Sequence, residues 1–343
     1  MPSSQKKTSS PRVTMQDVAH RAGVSQATVS FVLNGVPNTR ISDETQARVA
    51  EVAEVLGYRP RAAGRPPKLA TQRIIGMLID EMATSPFGAL SVEGLQEMAW
   101  KSGAIAEVAM TGGDPAYESA VLRRWAQDRV DGVVYASIIT REVEPPTALF
   151  RHRAVMLNCH DPQERLASIV PAERRGGEAA TQALIAAGHR RIAFVEGEPW
   201  MDASKQRFEG FQRSMSKHGM EVIETLVKEG NFLPSSGHKA THALMSQSIR
   251  PDAIFCANDA MAVGCYEALK ELGERVGESV AVMGYDNQEI SQHLAPSLST
   301  VLLPHREMGQ WCARQILAEG DIKPRQVRLN CPVVLRQSHQ RRH

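Results

Sequence analysis

Five polar residues stand just beyond apolar, strand-like runs of this sequence, where their side chains could bind a small polar ligand. Asp80 comes after "GMLI", Asn158 after "VML", Asn258 and Asp259 after "IFCA", and Asp286 after "VMGY". Ligands of open parallel sheets bind beyond the carboxyl ends of the strands. Carboxylates and amides at that place can hydrogen-bond to hydroxyl groups, so the pattern predicts a site for a polyhydroxylated ligand. Helix capping after a strand is the alternative role for Asn258, Asp259 and Asp286.

Arg207 adds a cation to this set of candidate ligand-binding residues. It lies near the start of the predicted helix "KQRFEGFQRSM", and its guanidinium could donate forked hydrogen bonds to a ligand. An ordinary surface ion pair is the alternative interpretation.

The segment "VTMQDVAHRAGVSQATVSFVLNG" has the pattern of a DNA-binding unit. It predicts two short helices, at 15–22 and 26–34, joined by a tight turn at Gly23 and capped by Thr14 and Ser25. A third predicted helix follows the cap residue Ser42. Two short helices around a glycine-containing turn form a helix-turn-helix, whose second helix enters the major groove. A three-helix domain without a ligand is the alternative.

Catalytic motifs are absent from the sequence. There is no G-x-G-x-x-G after a strand and no G-x-x-x-x-G-K-[ST], and the adjacent Cys159 and His160 have no evident third partner. We therefore predict that the protein is not an enzyme and uses neither a cofactor nor a metal. A plain solute-binding protein and an α/β transferase are the rival interpretations.

From about residue 74 to 335, short apolar runs alternate with amphipathic helical stretches. These runs are "IIGMLID", "DGVVYAS", "RAVMLN", "RIAFVEG", "AIFCAN" and "AVMGYD". Alternation of this kind indicates βαβ units with parallel sheets, and the number of runs favours two α/β lobes.

Charge and cysteine content indicate the environment and the partner. Residues 1–73 hold 11 Lys and Arg against 5 Asp and Glu, whereas the remainder holds 29 against 33, so a basic head could meet a polyanion. The five scattered cysteines favour reduced thiols. With no secretory signal and no apolar run near 18 residues, we expect a cytoplasmic, nucleoid-associated protein that does not bind membranes. The terminal "HQRRH" is expected to fray.

The stretch "VTMQDVAHRAGVSQATVSFVLNG…ISDETQARVAEVAEVLGYRP" resembles the DNA-binding head of the lactose-repressor (LacI/GalR) family. "AGHRRIAFVEG", "CANDAMAVG" and "VMGYDN" extend the resemblance into the body. It implies a three-helix helix-turn-helix head followed by a two-lobed domain like periplasmic binding proteins, with parallel sheets. The expected segments are a disordered tail (1–12), the head (13–60), a Pro-rich hinge (61–73) and an effector-binding and dimerisation domain (74–338).

The resemblance also implies a function and its partners. It indicates a transcription regulator, in most members a repressor, whose affinity for a pseudo-palindromic double-stranded DNA operator is controlled by a small sugar-like effector. Because the chain ends "LRQSHQRRH", without the leucine heptad of lactose-type tetramers, we expect a homodimer.

Residues that contact DNA are likewise implied by the resemblance. Gln26, Ala27 and Phe31 occupy the base-reading positions, although arginine is often found where this chain has Phe31. Candidate phosphate contacts are Thr14, Ser25, Thr28 and Ser30, and a helix cap or a solvated hydroxyl is the alternative for each. Asn34 and Tyr58 complete the predicted DNA-binding set.

In the body, the resemblance implies a set of effector-binding positions. Arg207, Asn258 and Asp286 match such positions, Asn158 stands where lactose-type members have aspartate, and Phe232 matches an aromatic residue that stacks on the sugar. The further predicted lining residues are Asp80, Ser85, Phe87, Trp200 and Ala203. This chain departs from the family at Leu303, at Pro171 and Ala172, and at Gly88, which predicts a pocket of its own kind.

The stretch "AAGRPPKLA", residues 62–70, differs from the family's hinge. In the family this segment forms a helix whose leucine wedges into the minor groove, but here that position falls on Pro67, preceded by Pro66. An interior proline costs a helix about 3 kcal/mol. Gly64, Arg65 and Pro66 resemble the core of an AT-hook, so Arg65 could enter a narrow minor groove. A semi-rigid linker and a proline wedge are the alternatives.

Overall fold

The computed structural model describes residues 14–33, 41–56, 58, 73–80 and 86–340. The chain divides into two compact units, residues 1–72 and 73–343, called here the head and the body. Within the described ranges, no helix combines the length and the apolar character needed to span a membrane. Residues 61–72 of the predicted hinge fall outside these ranges, whereas Arg73 is the first residue of a strand, and the predicted domain boundaries remain predictions.

The head consists of three helices, as the sequence predicts. They are α1 (Met15–Ala22), α2 (Gln26–Leu33) and α3 (Asp43–Val55). Thr14 begins α1 with a capping box, because its side chain accepts from the Asp17 N–H while the Asp17 carboxylate accepts from the Thr14 N–H. Gly23 ends α1 with φ of 66°, a left-handed conformation that costs glycine nothing. The predicted helix–turn–helix is therefore present.

A small apolar core holds the three helices together. Its fully buried members are Val18, Ala19, Ala22, Val29, Val49 and Ala53. Each helix contributes one narrow stripe, which leaves the opposite side of α2 free for solvent.

The body contains strands and helices in alternation. Its strands are β1 (Arg73–Ile79), β2 (Ala104–Met110), β3 (Gly132–Glu142), β4 (Ala154–His160), β5 (Ala167–Pro171), β6 (Ile192–Val195), β7 (Val227–Lys228), β8 (Ala253–Cys256), β9 (Ala281–Met283), β10 (Thr300–Val301), β11 (Gln326–Leu329) and β12 (Val333–Val334). Its α-helices are α4 (Pro86–Lys101), α5 (Pro115–Asp128), α6 (Glu173–Ala186), α7 (Asp202–Lys217), α8 (Pro234–Met245), α9 (Asp259–Glu271), α10 (Ile290–His293) and α11 (His305–Leu317).

Two parallel sheets define two lobes, which confirms the predicted fold class. The first sheet has the order β11-β5-β4-β3-β1-β2, and the second has the order β7-β6-β8-β9. The chain passes from the first lobe to the second after β5. It returns through α11, whose Met308, Cys312 and Ile316 pack in the core of the first lobe. Strand β11 then completes the first sheet by pairing with β5.

Two expectations about the body need correction. Six strands were not among the predicted runs: β2, β5, β7, β10, β11 and β12. The edge strand β2 is half-buried or exposed along most of its length, and the other five have two to five residues each. The C-terminal segment does not fray from its first residue. His339 is buried, with its Nδ1 2.8 Å from Ser299 Oγ, and the preceding Ser338 donates to the Val282 carbonyl.

Candidate functional site

A cavity of about 300 Å³ lies between the two lobes of the body. It opens at the carboxyl ends of β3, β4, β8 and β9, which is where the sequence predicts a ligand. We call it the interlobe cavity; its lining consists of Phe87, Ile138, Ile139, Thr140, Asn158, Pro171, Glu173, Met201, Ala203, Arg207, Phe232, Asn258, Ala260, Asp286, Gln288, Leu303 and His305.

Arg207 forms the centre of the polar wall. Its Nε and Nη2 donate to the two carboxylate oxygens of Glu173 at 2.9 and 3.1 Å, and its Nη1 donates to the Ala257 carbonyl and, at 3.2 Å, to Asp286. Its guanidinium also stacks on the Tyr285 ring, 3.8 Å from the centroid. These bonds use four of its five N–H groups, so one Nη2 hydrogen points to no acceptor among the described residues.

The charges of this wall are strongly coupled. Burial disfavours the guanidinium charge, but Glu173 and Asp286 outweigh that effect and raise the pKa of Arg207. Burial raises the pKa of Asp286 well above its usual value, although Arg207 opposes the shift. One permanent cation therefore lies between two carboxyl groups that a ligand hydroxyl can reach.

Asn258 and Asp286 stand on turns that follow two adjacent strands. Asn258 caps α9 by accepting from the Met261 N–H, and its amide donates to the Phe232 carbonyl at 3.0 Å. Asp286 has a φ of 111° in the turn after β9. Helix capping and lining of the cavity thus coincide in Asn258, whereas Asp286 is an ion-pair partner instead of a cap.

The first lobe supplies a second polar wall. Asn158 lies within β4 at φ of 56°, where it accepts from the Thr140 hydroxyl at 2.6 Å and donates to the Ser137 carbonyl. The amide keeps a second N–H for a ligand. Thr140 comes from the neighbouring strand β3, so two adjacent strands shape this wall.

Two aromatic surfaces border the cavity. Phe87 and His305 stack with ring centroids 5.0 Å apart, and Phe232 lies with its centroid 5.9 Å from the Arg207 guanidinium. Burial, assisted by the charge of Arg207, lowers the pKa of His305 to about 3. The imidazole is therefore neutral at physiological pH and offers one N–H and one acceptor nitrogen.

In the head, α2 exposes the residues predicted to read bases. Gln26 and Ala27 are exposed on its first turn, and Phe31 is 45% exposed one turn later. Ser25 accepts from the Thr28 N–H at 3.1 Å, so its hydroxyl caps α2.

Comparisons with known proteins agree with both units. Residues 14–61 match the model of bacterial regulatory proteins of the lacI family, and residues 181–339 match a periplasmic binding protein-like domain. A repressor from Vibrio cholerae, named HTH-type transcriptional repressor PurR, is 34% identical over 302 residues, which cover 87% of this chain and 88% of the relative.

The chain belongs to the LacI family.

Solved structures of this family share the fold. The lac repressor dimer bound to operator and the anti-inducer ONPF is 25% identical with a TM-score of 0.72, over 96% of this chain and 100% of that one. The transcriptional regulator CelR in complex with cellobiose is 29% identical with a TM-score of 0.64, over 95% and 100%. As a LacI-family member, this protein is a DNA-binding transcription regulator.

The structure of this LacI-family protein brings most of the predicted effector residues together. Phe87, Asn158, Arg207, Phe232, Asn258 and Asp286 all line the interlobe cavity, as does Ala203. Their binding roles remain predictions. Ser85, Asn34 and Arg65 lie outside the described residues.

Three candidate ligand-binding residues, Asp80, Asp259 and Trp200, lie outside the lining of the cavity. Asp259 accepts from the Thr300 hydroxyl and the Gln288 N–H. Asp80 accepts from the Ser137 hydroxyl, the Ile138 N–H and the Arg141 guanidinium, and these bonds tie the end of β1 to β3. Trp200 is 59% exposed in the turn before α7. Neighbouring donors of the same sheet thus engage the Asp80 carboxylate, and its role in effector binding remains a prediction.

Sequence reasoning missed four polar lining residues: Thr140, Glu173, Gln288 and His305. Glu173 begins α6 and has the pattern of a first-turn acidic residue, which is a common stabilising position. Glu173 lies opposite Arg207 because the chain enters the second lobe directly after β5, which the sequence pattern does not show. A nucleophilic role for Cys159 finds no support in the LacI-family structure, because burial raises the pKa of its thiol.

Proposed function

We propose that this LacI-family regulator is a repressor whose operator affinity changes when a polyhydroxylated, sugar-like effector binds in the interlobe cavity. The observation that carries the proposal is the Glu173–Arg207–Asp286 arrangement beside Phe232 at the carboxyl ends of the strands. A ligand that prefers one arrangement of the lobes shifts the protein towards it, and the linked heads then bind DNA differently.

The cavity chemistry supports a ligand with several hydroxyl groups. Carboxyl oxygens of Asp286, the remaining N–H of Arg207 and the amide of Asn158 offer acceptors and donors that face one space. Phe232 supplies an apolar face on which the C–H side of a sugar ring can stack. The CelR relative, whose structure contains cellobiose, supports the same ligand class.

A planar heterocycle is the competing ligand class. The stacked Phe87–His305 pair and Phe232 both border the cavity, and His305 offers a neutral donor and acceptor at the edge of such a ring. A thermal-shift screen with sugars, sugar acids and purines separates the two classes. A ligand at 100 times its Kd stabilises the folded state by about 2.7 kcal/mol.

The hit from this screen then identifies the site. Asp286→Asn keeps the shape of the side chain but removes the carboxylate, so we expect at least a tenfold loss of ligand affinity, or about 1.4 kcal/mol. Trp200→Ala, on the exposed residue outside the lining, is the matched control and should bind normally. Equal affinity of both variants would place the ligand elsewhere.

Repression requires that the heads bind DNA, and we propose that a homodimer presents two of them to a pseudo-palindromic operator. The relative solved as a lac repressor dimer on its operator supports this assembly. Gel shifts with an operator selected from random duplexes, with and without the ligand, determine whether the effector releases or strengthens binding. No retarded complex at any salt concentration would contradict the proposal.

Gln26, Ala27 and Phe31 are the proposed base readers of this head. Gln26 can pair with adenine, and Ala27 can contact a thymine methyl group. Gln26→Ala should relax preference at one base position of each half-site and weaken specific binding by about 1–3 kcal/mol. If wild type and variant show the same base preferences across a randomised operator, Gln26 does not read a base.

Arg65 is the proposed minor-groove contact of the hinge. Arg65→Ala should lower operator affinity and reduce the salt dependence of binding, because it removes one positive charge that would lie close to the DNA phosphates. Unchanged affinity together with an unchanged salt slope would favour a plain linker.

A further inference from the structure

A second cluster of ligand-type side chains lies away from the interlobe cavity, on helices α8 and α9. His238 and His242 are four residues apart on α8, and Glu271 is the last residue of α9. None of the three lines the cavity. We call this cluster the His–Glu triad.

The side chains of the triad converge on one point. The Nε2 atoms of His238 and His242 each lie 2.9 Å from the same oxygen, Oε2 of Glu271. The two imidazole rings have centroids 4.7 Å apart, and ligand atoms of all three residues lie within 4.8 Å of one another. Residues at i and i+4 of a helix share one face, so the helix itself sets the spacing of the histidines.

Close packing of the two helices fixes the position of Glu271 relative to the histidines. A Cβ atom added at Gly264 of α9 would contact the Pro234 carbonyl and would lie 2.8 Å from the backbone nitrogen of His238. The backbones of α8 and α9 are thus in direct contact at the start of the histidine face. The triad is therefore a feature of two packed helices instead of a chance meeting of long side chains on loops.

We propose that the His–Glu triad binds a divalent transition-metal ion such as Zn²⁺. Two imidazole nitrogens and one carboxylate oxygen form a common three-ligand set for zinc, with bonds of about 2.0–2.2 Å and a water in the fourth position. In a tetrahedral site with such bonds, ligand atoms lie roughly 3.4 Å apart, so small rotamer adjustments from the observed 2.9 Å contacts make room for the ion.

Exposure and ligand type restrict the choice of ion. The side chains are 36%, 38% and 55% exposed for His238, His242 and Glu271, so water can reach the fourth position. Two nitrogen ligands favour Zn²⁺, Cu²⁺, Ni²⁺ and Co²⁺ and disfavour Mg²⁺ and Ca²⁺, which prefer oxygen ligands. The ion would bridge α8 to α9 and stabilise the second lobe.

Titration of the full-length protein, without an added histidine tag and after EDTA treatment, tests the proposal. Calorimetry with ZnCl₂ should give one ion per chain with a micromolar Kd, whereas MgCl₂ should give no binding. Loss of a residue that only orients a metal ligand already costs about 10–100-fold in affinity. Removal of two ligands in His238→Ala with His242→Ala should therefore weaken Zn²⁺ binding at least about 100-fold, and Glu271→Gln at least about tenfold. Saturating Zn²⁺ should raise the Tm of the wild type and not that of the double variant.

His293→Ala is the matched control, because His293 is an exposed histidine on α10 outside the triad. It should retain the wild-type Kd. Circular dichroism of each variant without metal verifies that it is folded. Equal Zn²⁺ affinity of the wild type and the folded double variant would overturn the proposal, as would a wild-type Kd in the millimolar range.

Discussion

In the head, each observed N-terminal side-chain cap joins residues three positions apart, whereas in the interlobe cavity Arg207 joins distant segments. Thr14 meets Asp17, Ser25 meets Thr28 and Ser42 meets Thr45. Arg207 bonds to Glu173, Ala257 and Asp286, which lie 34, 50 and 79 residues away. A change in the head should therefore have a local conformational cost, and a change at Arg207 should affect several segments together.

Arg207→Ala should have the largest effect on stability. It leaves Glu173 and Asp286 buried without their cation, and breaking a buried ion pair from one side costs about 3–5 kcal/mol. All four tryptophans, at positions 100, 125, 200 and 311, belong to the body, so denaturant unfolding followed by tryptophan fluorescence reports on this unit.

Arg213→Ala is the control for that prediction. Arg213 lies on the same helix, and its ion pair with Glu178 is 3.7 Å long with a 61% exposed arginine side chain. Exposed pairs contribute about 0–1 kcal/mol, so the unfolding midpoint should scarcely change. Similar losses in both variants would contradict the view that the buried network holds the cavity together.

Gly177→Ala tests the same long-range dependence through packing. A Cβ atom at Gly177 of α6 would contact the Arg207 carbonyl of α7 and would lie 3.1 Å from the Arg207 Cα. Overpacking of this kind costs about 1–3 kcal/mol and should displace α7. Gly188→Ala, whose φ of 96° adds strain but whose Cβ meets open space, separates strain from collision. If the packing of α6 against α7 positions Arg207 for the effector, Gly177→Ala should lose more effector affinity than Gly188→Ala. Equal losses would contradict this dependence.

The same contrast explains which parts of the molecule the sequence could predict. The turn at Gly23 and the caps at Ser25 and Ser42 depend on neighbours within a few residues, so their pattern was readable. In contrast, the partners of Arg207 depend on how distant strands and helices pack together. The same holds for Asp80, which bonds to β3 and does not line the cavity. No local pattern contains that information.

The His–Glu triad lies between these two cases, and the metal site proposed there departs from the expectation, drawn from the sequence, that the protein uses no metal. The spacing of His238 and His242 in "GHKATHA" is visible in the sequence and indicates one face of a helix. Glu271 is 33 residues beyond His238 and reaches it only because α8 packs against α9. The sequence therefore contained two of the three ligands, and the packing supplied the third.

Asp259 should make the stability of the body depend on pH. Burial raises its pKa from 3.8 to about 7, although hydrogen bonds from Thr300 and the Gln288 N–H oppose the shift. Between these two values the folded state keeps a proton that the unfolded state has lost, so stability falls as pH rises. The fall should be about 1.4 kcal/mol from pH 5 to pH 6.

Asp259→Asn provides the comparison, because an amide does not titrate. The difference in unfolding free energy between variant and wild type, measured from pH 4 to 8, should change in favour of the variant as pH rises. A difference that stays constant with pH would mean that Asp259 titrates normally.

Ser25→Ala should have the smallest effect, confined to the head. It removes the oxygen that accepts from the Thr28 N–H, and loss of such a cap costs about 1 kcal/mol. Because the head has no tryptophan, hydrogen exchange of peptides from α2 is the suitable measurement, and exchange should accelerate about fivefold for this cost. Ser25→Asn keeps a capping oxygen and should exchange like the wild type.

Operator affinity of the same two variants separates the two roles of the Ser25 hydroxyl. If Ser25→Ala loses affinity and Ser25→Asn restores it, the hydroxyl acts on DNA binding through the cap. If affinity stays low in Ser25→Asn, the hydroxyl itself contacts the phosphate backbone. Accelerated exchange in the body peptides around Arg207 would contradict the local character of the head.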